Sequence, residues 1–292
     1  MQFGGNAFAS GVCDLVTENF TNFVAKRNII MEKHIAKPNI EYPIGFALSG
    51  GFIKGFAHLG AIQALLEHDI KPDILSGVSA GALAGALYAD GNEPYQVLEF
   101  FKGLTFRDLT NLVLPRSGFF DLTEVIDFLK AHLKATRLED LKIPMVITAT
   151  DFDHGHSVHF REGELAEIIA ASCCVPILFT PVTIDGTHYV DGGVLMNLPV
   201  SPIREVCQKV VAINVSPLVA PEYKLNILSI AERAYHFMFR SNTFSERAKA
   251  DLLIEPTDLY EFSDTDLDKT EEIFMRGYTE ANETISTLNV KH

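Results

Sequence analysis

The 292-residue chain lacks several features that would mark particular classes of protein. No stretch of it approaches the roughly 18 to 20 consecutive apolar residues that a membrane-spanning helix needs. Asp14, Glu18 and Asn19 interrupt the apolar residues near the N-terminus, so no export signal is predicted. Internal repeats, low-complexity tracts and Gly/Ser linkers are also missing, which favours a single domain over an array of modules.

Positive charge is scarce as well: 24 Lys and Arg stand against 38 Asp and Glu, which gives a net charge of −14. A field of that sign repels nucleic-acid phosphates and anionic lipid. The sequence therefore predicts no nucleic-acid partner, and it restricts any membrane contact to a local apolar surface. We expect a cytoplasmic protein that is at most peripheral to the inner membrane surface.

Cysteine is rare, and the pattern of the four that are present argues against a metal site. They are Cys13, Cys173, Cys174 and Cys207. No pair has a spacing such as C-x-x-C, and two are adjacent, which favours free buried thiols in a reducing compartment. We therefore predict neither a metal centre nor a disulfide framework.

What the chain does contain is the composition and pattern of a globular α/β protein. Hydrophobic residues make up 47% and charged residues 21%, enough for a sizeable core. Apolar runs at 44–48 and 73–76 each lead through a glycine turn into a helical pattern, and two successive βα units imply a parallel sheet. Further strands are predicted at 145–151, 157–161, 180–184, 188–190 and 209–215, helices at 93–102, 121–134, 164–174, 225–249 and 270–286, and a loop at 112–120. The expected fold is a three-layer α/β/α arrangement with a mainly parallel central sheet.

A serine in a glycine-flanked turn is the first candidate for chemistry. Gly77-Val78-Ser79-Ala80-Gly81 fits the nucleophile elbow, a sharp strand-to-helix turn that exposes a serine hydroxyl. The two glycines leave room for a cramped backbone, and the helix N-terminus behind the serine favours developing negative charge. The string alone is weak, since Gly/Ser-rich turns can produce it. Its position between a strand and a helix favours the elbow.

A second glycine-rich turn, Gly50-Gly51-Phe52-Ile53-Lys54-Gly55, follows the first predicted strand. Backbone N–H groups in such a turn can point together at an anion, as in an oxyanion hole. The spacings of a nucleotide phosphate loop, G-x-x-x-x-G-K-[ST], and of a dinucleotide fingerprint, G-x-G-x-x-G, are both absent. A plain tight turn is the alternative.

A third motif, Asp191-Gly192-Gly193, follows a predicted hairpin and on its own is a turn signal. In their order, the three motifs resemble those of the patatin-like phospholipases, whose signatures are a glycine-rich loop with a following Arg or Lys, G-x-S-x-G, and D-G-G or D-G-A. The resemblance extends from Ile44 to Pro256. It also takes in His58-Leu59-Gly60, Ala171-Ser172-Cys173-Cys174-Val175-Pro176, Phe179-Thr180-Pro181, Asn197 and Pro199.

The resemblance implies a lipid acyl hydrolase that cleaves carboxylic esters of phospholipids, lysophospholipids or acylglycerols through an acyl-enzyme, without metal or organic cofactor. Ser79 becomes the nucleophile and Asp191 its base in a dyad that contains no histidine. Asp191 accepts the serine proton and later activates the deacylating water. Because a carboxylate with a pKa of about 4 is a weak base toward an alcohol, a short hydrogen bond and a dry pocket must assist.

The resemblance also assigns the residues around the dyad. Gly50, Gly51 and Phe52 form the oxyanion hole, with the N–H groups of Gly51 and Phe52 as donors. The supporting residues are Lys54, Gly55, Gly192 and Gly193. Lys54 steadies the loop or adds positive potential, and the alternative is a mere surface lysine.

Phe52 departs from the family pattern, which usually has a third glycine at this position. A positive φ would be expensive for phenylalanine. Either Phe52 keeps an ordinary conformation and shapes the acyl pocket, or the oxyanion hole is poorer than in relatives. The second case would leave a catalytically weak lipid-binding module of the same fold.

A Ser-His-Asp esterase is the other alternative, because ten histidines are present. Its candidate bases are His154, His156, His159 and His188. Chain order disfavours it, since α/β-hydrolases run serine, acid, histidine, and only His236 and His292 follow Asp191. We interpret the histidines and aspartates at 151–156 as polar loop residues rather than a metal cluster, and His58 as a packed helical residue.

Three segments follow from this interpretation. Residues 1–40 form an N-terminal extension whose apolar residues recur at helical spacing, and residues 41–256 form the patatin-like catalytic domain. Residues 257–292 supply a C-terminal helix packed on that domain. Large apolar side chains are dense over 227–244, where we expect mainly core packing, with a share lining an acyl groove or facing a membrane.

Overall fold

The computed structural model describes residues 39–112, 118–216, 225, 227–263 and 267–289. Two compact units divide the chain, Met1–Asn39 and Ile40–His292. The helix predicted within the N-terminal extension lies outside the described residues, as do Cys13 and His292. All the helices and strands that the structure describes belong to the second unit.

An eight-stranded, mostly parallel sheet forms the centre of this unit. In chain order the strands are β1 Tyr42–Leu48, β2 Ile74–Val78, β3 Asn111–Leu112, β4 Gly118–Asp121, β5 Met145–Asp151, β6 His156–Phe160, β7 Ile177–Phe179, β8 Val182–Ile184, β9 Thr187–Asp191, β10 Cys207–Ile213 and β11 Leu252–Ile254. The central sheet has the order β11-β10-β1-β2-β5-β9-β8, with β6 also paired to β5, and a small second sheet has the order β3-β4-β7. Pairing is parallel from β11 to β5 and antiparallel where β6, β8 and β9 join.

Helices cover both faces of the central sheet. They are α1 Phe56–Glu67, α2 Ala80–Ala89, α3 Pro94–Phe100, α4 Thr123–His132, α5 Leu165–Cys173, α6 Ser201–Arg204, α7 Ile227–Ser241, α8 Phe244–Arg247 and α9 Thr270–Asn289. Alternation along β1 sends Phe46 into an apolar core shared with α1 and α2, and Ala47 into a second core shared with Ile203 of α6. The prediction of an α/β fold with a mainly parallel central sheet is thereby confirmed.

The last helix, α9, packs against α1 at very close range because glycine stands at the contact on both helices. A Cβ at Gly60 would collide with the Phe274 carbonyl, and a Cβ at Gly277 would collide with the Ala57 carbonyl. The helix of the C-terminal segment therefore packs closely within the same unit as the central sheet.

Strand β5 has two different neighbours along one edge. β2 pairs in parallel with β5 as far as Val78 opposite Thr148, and β9 pairs antiparallel with it from Asp191 opposite Ala149. β6 occupies the other edge over the same stretch. Because β2 and β9 run toward each other along β5, their carboxyl ends meet.

Several regions differ from the sequence prediction. The helix expected over 225–249 is divided into α7 and α8, because the Asn242 side chain donates to the Gly193 carbonyl (2.8 Å) and accepts from the Asn197 N–H (2.7 Å). The loop expected over 112–120 contains β4, which pairs with β7, and β11 was not predicted. No helix in the described ranges is both long and apolar enough to cross a bilayer.

The apolar side chains of α7 are shared between the interior and the surface. Phe239 is buried, whereas Ile230, Phe237 and Met238 are exposed. The expectation of mainly core packing therefore holds for only part of this helix among the side chains described.

Candidate active site

Ser79 lies in the turn between β2 and α2, with the strained dihedral angles φ 52° and ψ −122°. The flanking glycines make the turn possible: a Cβ at Gly77 would lie 2.6 Å from the Gly81 carbonyl, and one at Gly81 would collide with the Leu48 carbonyl. The Ser79 N–H donates to Ser172 Oγ (2.8 Å), and that hydroxyl donates to the Thr148 carbonyl (2.7 Å). Ser172 therefore ties the elbow to β5.

Asp191 lies at the end of β9, where β9 meets β2. Its main chain is fixed by an N–H bond to the Cys174 carbonyl (2.7 Å) and by the Thr150 hydroxyl, which donates to the Asp191 carbonyl (3.0 Å). Its Oδ1 accepts the Gly193 N–H at 2.7 Å, whereas its Oδ2 is buried and has no hydrogen-bond partner among the described residues.

Burial raises the pKa of Asp191 from its usual value near 4 to about 7. The Ser79 hydroxyl and the Gly193 N–H oppose that shift. The hydroxyl thus lies near enough to influence the carboxylate, although Oδ2 makes no bond that meets hydrogen-bond geometry. The site combines a buried acid of nearly neutral pKa with a serine on a strained turn.

The glycine-rich loop lies directly against the elbow. A Cβ at Gly50 would be 3.3 Å from the Ser79 Cβ, and a Cβ at Gly51 would be 2.6 Å from Val215 Cγ2, so both positions need glycine. The Gly50 N–H donates to the Asn197 carbonyl (3.1 Å). The Gly50 N–H is therefore already used, which agrees with the expectation that only Gly51 and Phe52 supply N–H donors; the predicted oxyanion hole of Gly50, Gly51 and Phe52 itself stays a prediction.

The next two N–H groups, of Gly51 and Phe52, open the short 3₁₀ helix Phe52–Gly55. The first N–H groups of a helix have no partner within it, and neither of these donates to a main-chain carbonyl in the part of the chain that the structure describes. The role of these two N–H groups as oxyanion donors stays a prediction that their lack of main-chain partners allows.

Phe52 adopts a positive φ of 52°, so the first of the two alternatives for this residue, an ordinary backbone conformation, does not hold. The turn from Gly51 into the 3₁₀ helix imposes the left-handed conformation, which costs about 1 to 2 kcal/mol for an L-residue other than glycine. The ring packs against the apolar cluster that contains Phe179. It also lines both cavities at Ser79.

The supporting residues are packed closely around the two loops. Lys54 is 8% exposed and lines the small cavity at Ser79, so it is not a surface lysine. A Cβ at Gly55 would lie 2.7 Å from the Ala80 Cβ, which shows how closely the loop approaches α2. Cβ atoms at Gly192 and Gly193 would collide with the Thr148 carbonyl and the Phe239 ring.

Two cavities open at Ser79. One is an apolar groove of about 170 Å³, with walls that include Phe56, Leu83, Phe101 and Leu178. The other is a small cavity of about 10 Å³ lined by Gly51, Phe52, Lys54, Ser79, Asp191, Asn197, Ser216, His236 and Phe239. The nucleophile candidate thus faces an apolar channel on one side and a polar recess on the other.

Most of the histidines lie elsewhere. His154 pairs with Asp151 (2.9 Å) and His188 with Asp153 (3.1 Å), and His159 bonds the Thr148 hydroxyl (3.0 Å). These three and His156 line neither cavity at Ser79. Among the described residues, no group of histidine, cysteine and acidic side chains has the geometry to hold a metal ion.

Two further histidines occupy contrasting positions. His58 is buried in α1 with Nε2 bonded to the Ser49 carbonyl (2.8 Å), and burial lowers its pKa to about 4, as expected for a packed residue. His236 of α7 lines the small cavity, and its ring centroid lies 6.2 Å from that of Phe52. The sequence predicted no catalytic role for His236 and none for the Ser172 hydroxyl. No local signal in the sequence identifies either one.

The chain is similar to known proteins in sequence and in fold. Residues 46–203 match the family described as Patatin-like phospholipase. The chain is 34% identical over 166 residues to an uncharacterised NTE family protein of Mycobacterium tuberculosis, a match that covers 56% of this chain and 46% of that protein. It is 32% identical over 171 residues to the lysophospholipase NTE1 of Cryptococcus neoformans, which covers 56% of this chain and 10% of the fungal protein. The matches thus span less than half of the length of these curated relatives.

Among solved structures, VipD from Legionella pneumophila shares the fold, with a TM-score of 0.50 and 16% sequence identity over 85% of this chain and 67% of that chain. The family match covers more than half of the present sequence and includes all three glycine-rich motifs. The chain belongs to the patatin-like phospholipase family.

Proposed function

We propose that the protein is a serine carboxylic ester hydrolase that removes an acyl chain from a phospholipid, a lysophospholipid or an acylglycerol. The observation that carries the proposal is the meeting of the Ser79 elbow and the buried Asp191 carboxylate at one cavity, beside an apolar groove. The fungal relative is named a lysophospholipase, which supports a lipid ester as substrate.

In the acylation step, Asp191 takes the hydroxyl proton while Ser79 Oγ attacks the ester carbonyl carbon. A pKa of about 7 makes this carboxylate a stronger base toward an alcohol than an ordinary aspartate. The N–H groups of Gly51 and Phe52 stabilise the oxyanion, an effect worth about 3 kcal/mol per donor. Collapse of the intermediate expels the alcohol, which takes the proton from Asp191, and Ser79 is left acylated. The proposal assigns no role to a metal or organic cofactor.

The contacts of the carboxylate favour a dyad over a Ser-His-Asp triad. In a triad the acid hydrogen-bonds the histidine ring. Asp191 instead accepts the Gly193 N–H with one oxygen, and its other oxygen has no partner among the described residues. His236 lies at the same cavity, and we assign it to the wall of the site.

The apolar groove supports a substrate with an acyl chain. Its lining is dominated by aliphatic and aromatic side chains, and it reaches Ser79 from the side of α2 and α3. Burying a methylene group of a substrate in such a groove contributes about 0.8 kcal/mol. Chain length should therefore be a principal determinant of kcat/KM.

Fluorophosphonate labelling combined with turnover tests the proposal. The reagent phosphonylates an activated serine, so peptide mass spectrometry of the wild-type protein should find one adduct, on Ser79. The same preparation should release carboxylic acid from a panel of short esters, monoacyl and diacyl phospholipids and neutral glycerides. A protein that binds these lipids but is neither labelled nor active would instead be a lipid-binding module of the same fold.

Phe52→Gly should shift substrate preference toward long acyl chains. Phe52 lines both cavities, so removal of its ring widens the groove, while the N–H donor remains and glycine accepts a φ of 52° without strain. We expect kcat/KM for short esters to stay within about tenfold of wild type, with a rise in the ratio of long-chain to short-chain values. The measurement is kcat/KM for a series of acyl esters of one alcohol.

Phe52→Ala is the matched control, because it also removes the ring but keeps the strain of a Cβ at positive φ. Both variants should show the altered chain-length ratio, and the glycine variant should have the higher melting temperature of the two. An unchanged ratio in both variants would mean that the ring serves only core packing.

A further inference from the structure

Three buried polar atoms beside Ser79 have no hydrogen-bond partner among the described residues. They are Oδ1 and Nδ2 of Asn197 and Oδ2 of Asp191. Both residues are almost completely inaccessible to solvent. Leaving a buried polar atom unsatisfied costs about 1 to 3 kcal/mol, so such atoms are nearly always paired with protein or with bound water.

The two residues line the same small cavity, and its size fits one particular ligand. Its volume is about 10 Å³, close to the lower limit for holding a single water molecule, which also needs two to four polar partners. Asn197 and Asp191 supply those partners, and Ser79 lines the cavity as well. We propose that Asn197 and Asp191 together hold the water that hydrolyses the acyl-enzyme.

This inference rests on the proposed roles of Ser79 and Asp191 and adds a residue to the second half of the reaction. The Asn197 amide orients the water toward the carbonyl carbon of the Ser79 ester. Asp191 takes one proton from that water as its oxygen bonds to the carbon. When the tetrahedral intermediate collapses, the carbon–Oγ bond breaks, Ser79 recovers the proton from Asp191, and the carboxylic acid leaves.

The main chain of Asn197 is anchored independently of its side chain. The N–H donates to Asn242 Oδ1 (2.7 Å), and the carbonyl accepts the Gly50 N–H (3.1 Å). Glycine flanks the amide on two sides, since a Cβ at Gly193 would lie 2.6 Å from Asn197 Oδ1 and one at Gly50 would collide with it. Asn197→Ala therefore removes the amide while both anchors remain.

The test is rapid-quench hydrolysis of a p-nitrophenyl acyl ester by Asn197→Ala and wild type. The first turnover, which reports acylation, should stay within about threefold of wild type, whereas steady-state turnover should fall about 100-fold. p-Nitrophenol should then appear in a burst of about one equivalent per enzyme. Intact-mass spectrometry during turnover should find most of the Asn197→Ala protein carrying one acyl group, which loss of stability alone would not produce.

Asn92→Ala serves as a matched control. The Asn92 side chain is also buried, and its amide donates to the Leu87 carbonyl (2.8 Å). Asn92 follows the C-terminal end of α2, whereas Ser79 precedes its N-terminal end, and the helix between them is roughly 15 Å long. It should behave like wild type in both phases. Equal loss of the burst and the steady-state rate in Asn197→Ala, or no accumulation of acyl-enzyme, would overturn the inference. A wild-type protein with neither labelling nor turnover would instead refute the proposed function itself.

Discussion

Ser79→Ala should abolish ester hydrolysis and fluorophosphonate labelling while the protein stays folded. The substitution removes only the Oγ atom. The elbow should keep its shape, because it is held by the Ser79 N–H bond to Ser172 and by the close approach of Gly77 and Gly81. Removing a nucleophile that acts as a unit with its base lowers kcat by about 10⁴-fold or more. The measurements are turnover of the best ester from the substrate panel, adduct mass, and the melting temperature.

Ser76→Ala provides a control on the same strand. Ser76 precedes Ser79 by three residues, and its hydroxyl is buried and has no hydrogen-bond partner among the described residues. This variant should keep full labelling and turnover. Labelling that persists in Ser79→Ala would identify a different nucleophile.

Asp191→Asn should lower kcat by about 10³-fold and, at the same time, stabilise the protein at neutral and alkaline pH. The amide keeps an acceptor for the Gly193 N–H but cannot take the serine proton. In the wild type, activity depends on the ionised carboxylate, so kcat/KM should rise with pH through about 7 and then level off. The variant's residual activity should lack that rise.

The sign of the stability effect follows from the raised pKa. Burial moves the Asp191 pKa from 3.8 when unfolded to about 7 when folded, so the folded state binds more protons between these values. Wild type therefore loses stability relative to Asp191→Asn as pH rises from 4 to 7, by up to about 4 kcal/mol, and the gap is constant above pH 7. Urea unfolding of both proteins from pH 4 to pH 9 measures this difference.

Asp151→Asn is the matched control, because this carboxylate ends the adjacent strand and pairs with His154 (2.9 Å). Burial tends to raise its pKa, but the bonds from His154 outweigh burial and lower it. Near-normal kcat and no gain in stability are expected. His236→Ala in the same assay should retain most activity. If it is as inactive as Ser79→Ala while Asp191→Asn is not, a histidine base replaces the dyad.

Local patterns in the sequence predicted most of the central sheet and the positions of the catalytic candidates. The glycines around Ser79 and Asp191 are a local requirement of tight turns, so the sequence alone predicts these turns. The small sheet and the break at Asn242 depend on residues distant in the chain, such as the pairing of β4 with β7. Hydrophobic periodicity is a local pattern, so it does not predict contacts between residues that are distant in the chain.

Within the site, too, local patterns are predictable from the sequence and long-range contacts are not. The positive φ of Phe52 contradicts its own residue preference, and only the loop around it imposes that conformation. Long-range packing also brings the Asn197 carbonyl to the Gly50 N–H, which donates to it, and places His236 at the small cavity. Motif spacing identified which residues gather at the site but not which of their atoms remain available there.

The end-to-end meeting of β2 and β9 along β5 links catalytic competence to the order in which the chain folds. Ser79 and Asp191 are more than one hundred positions apart, and neither strand reaches the other except beside β5. Long-range pairings of this kind form late, because loop-closure entropy must be overcome first. A chain that has formed only β1, β2, α1 and α2 would carry Ser79 without Asp191, the residue that we propose as its base. By the proposed mechanism, a chain in this state would not hydrolyse lipid esters until β9 pairs with β5.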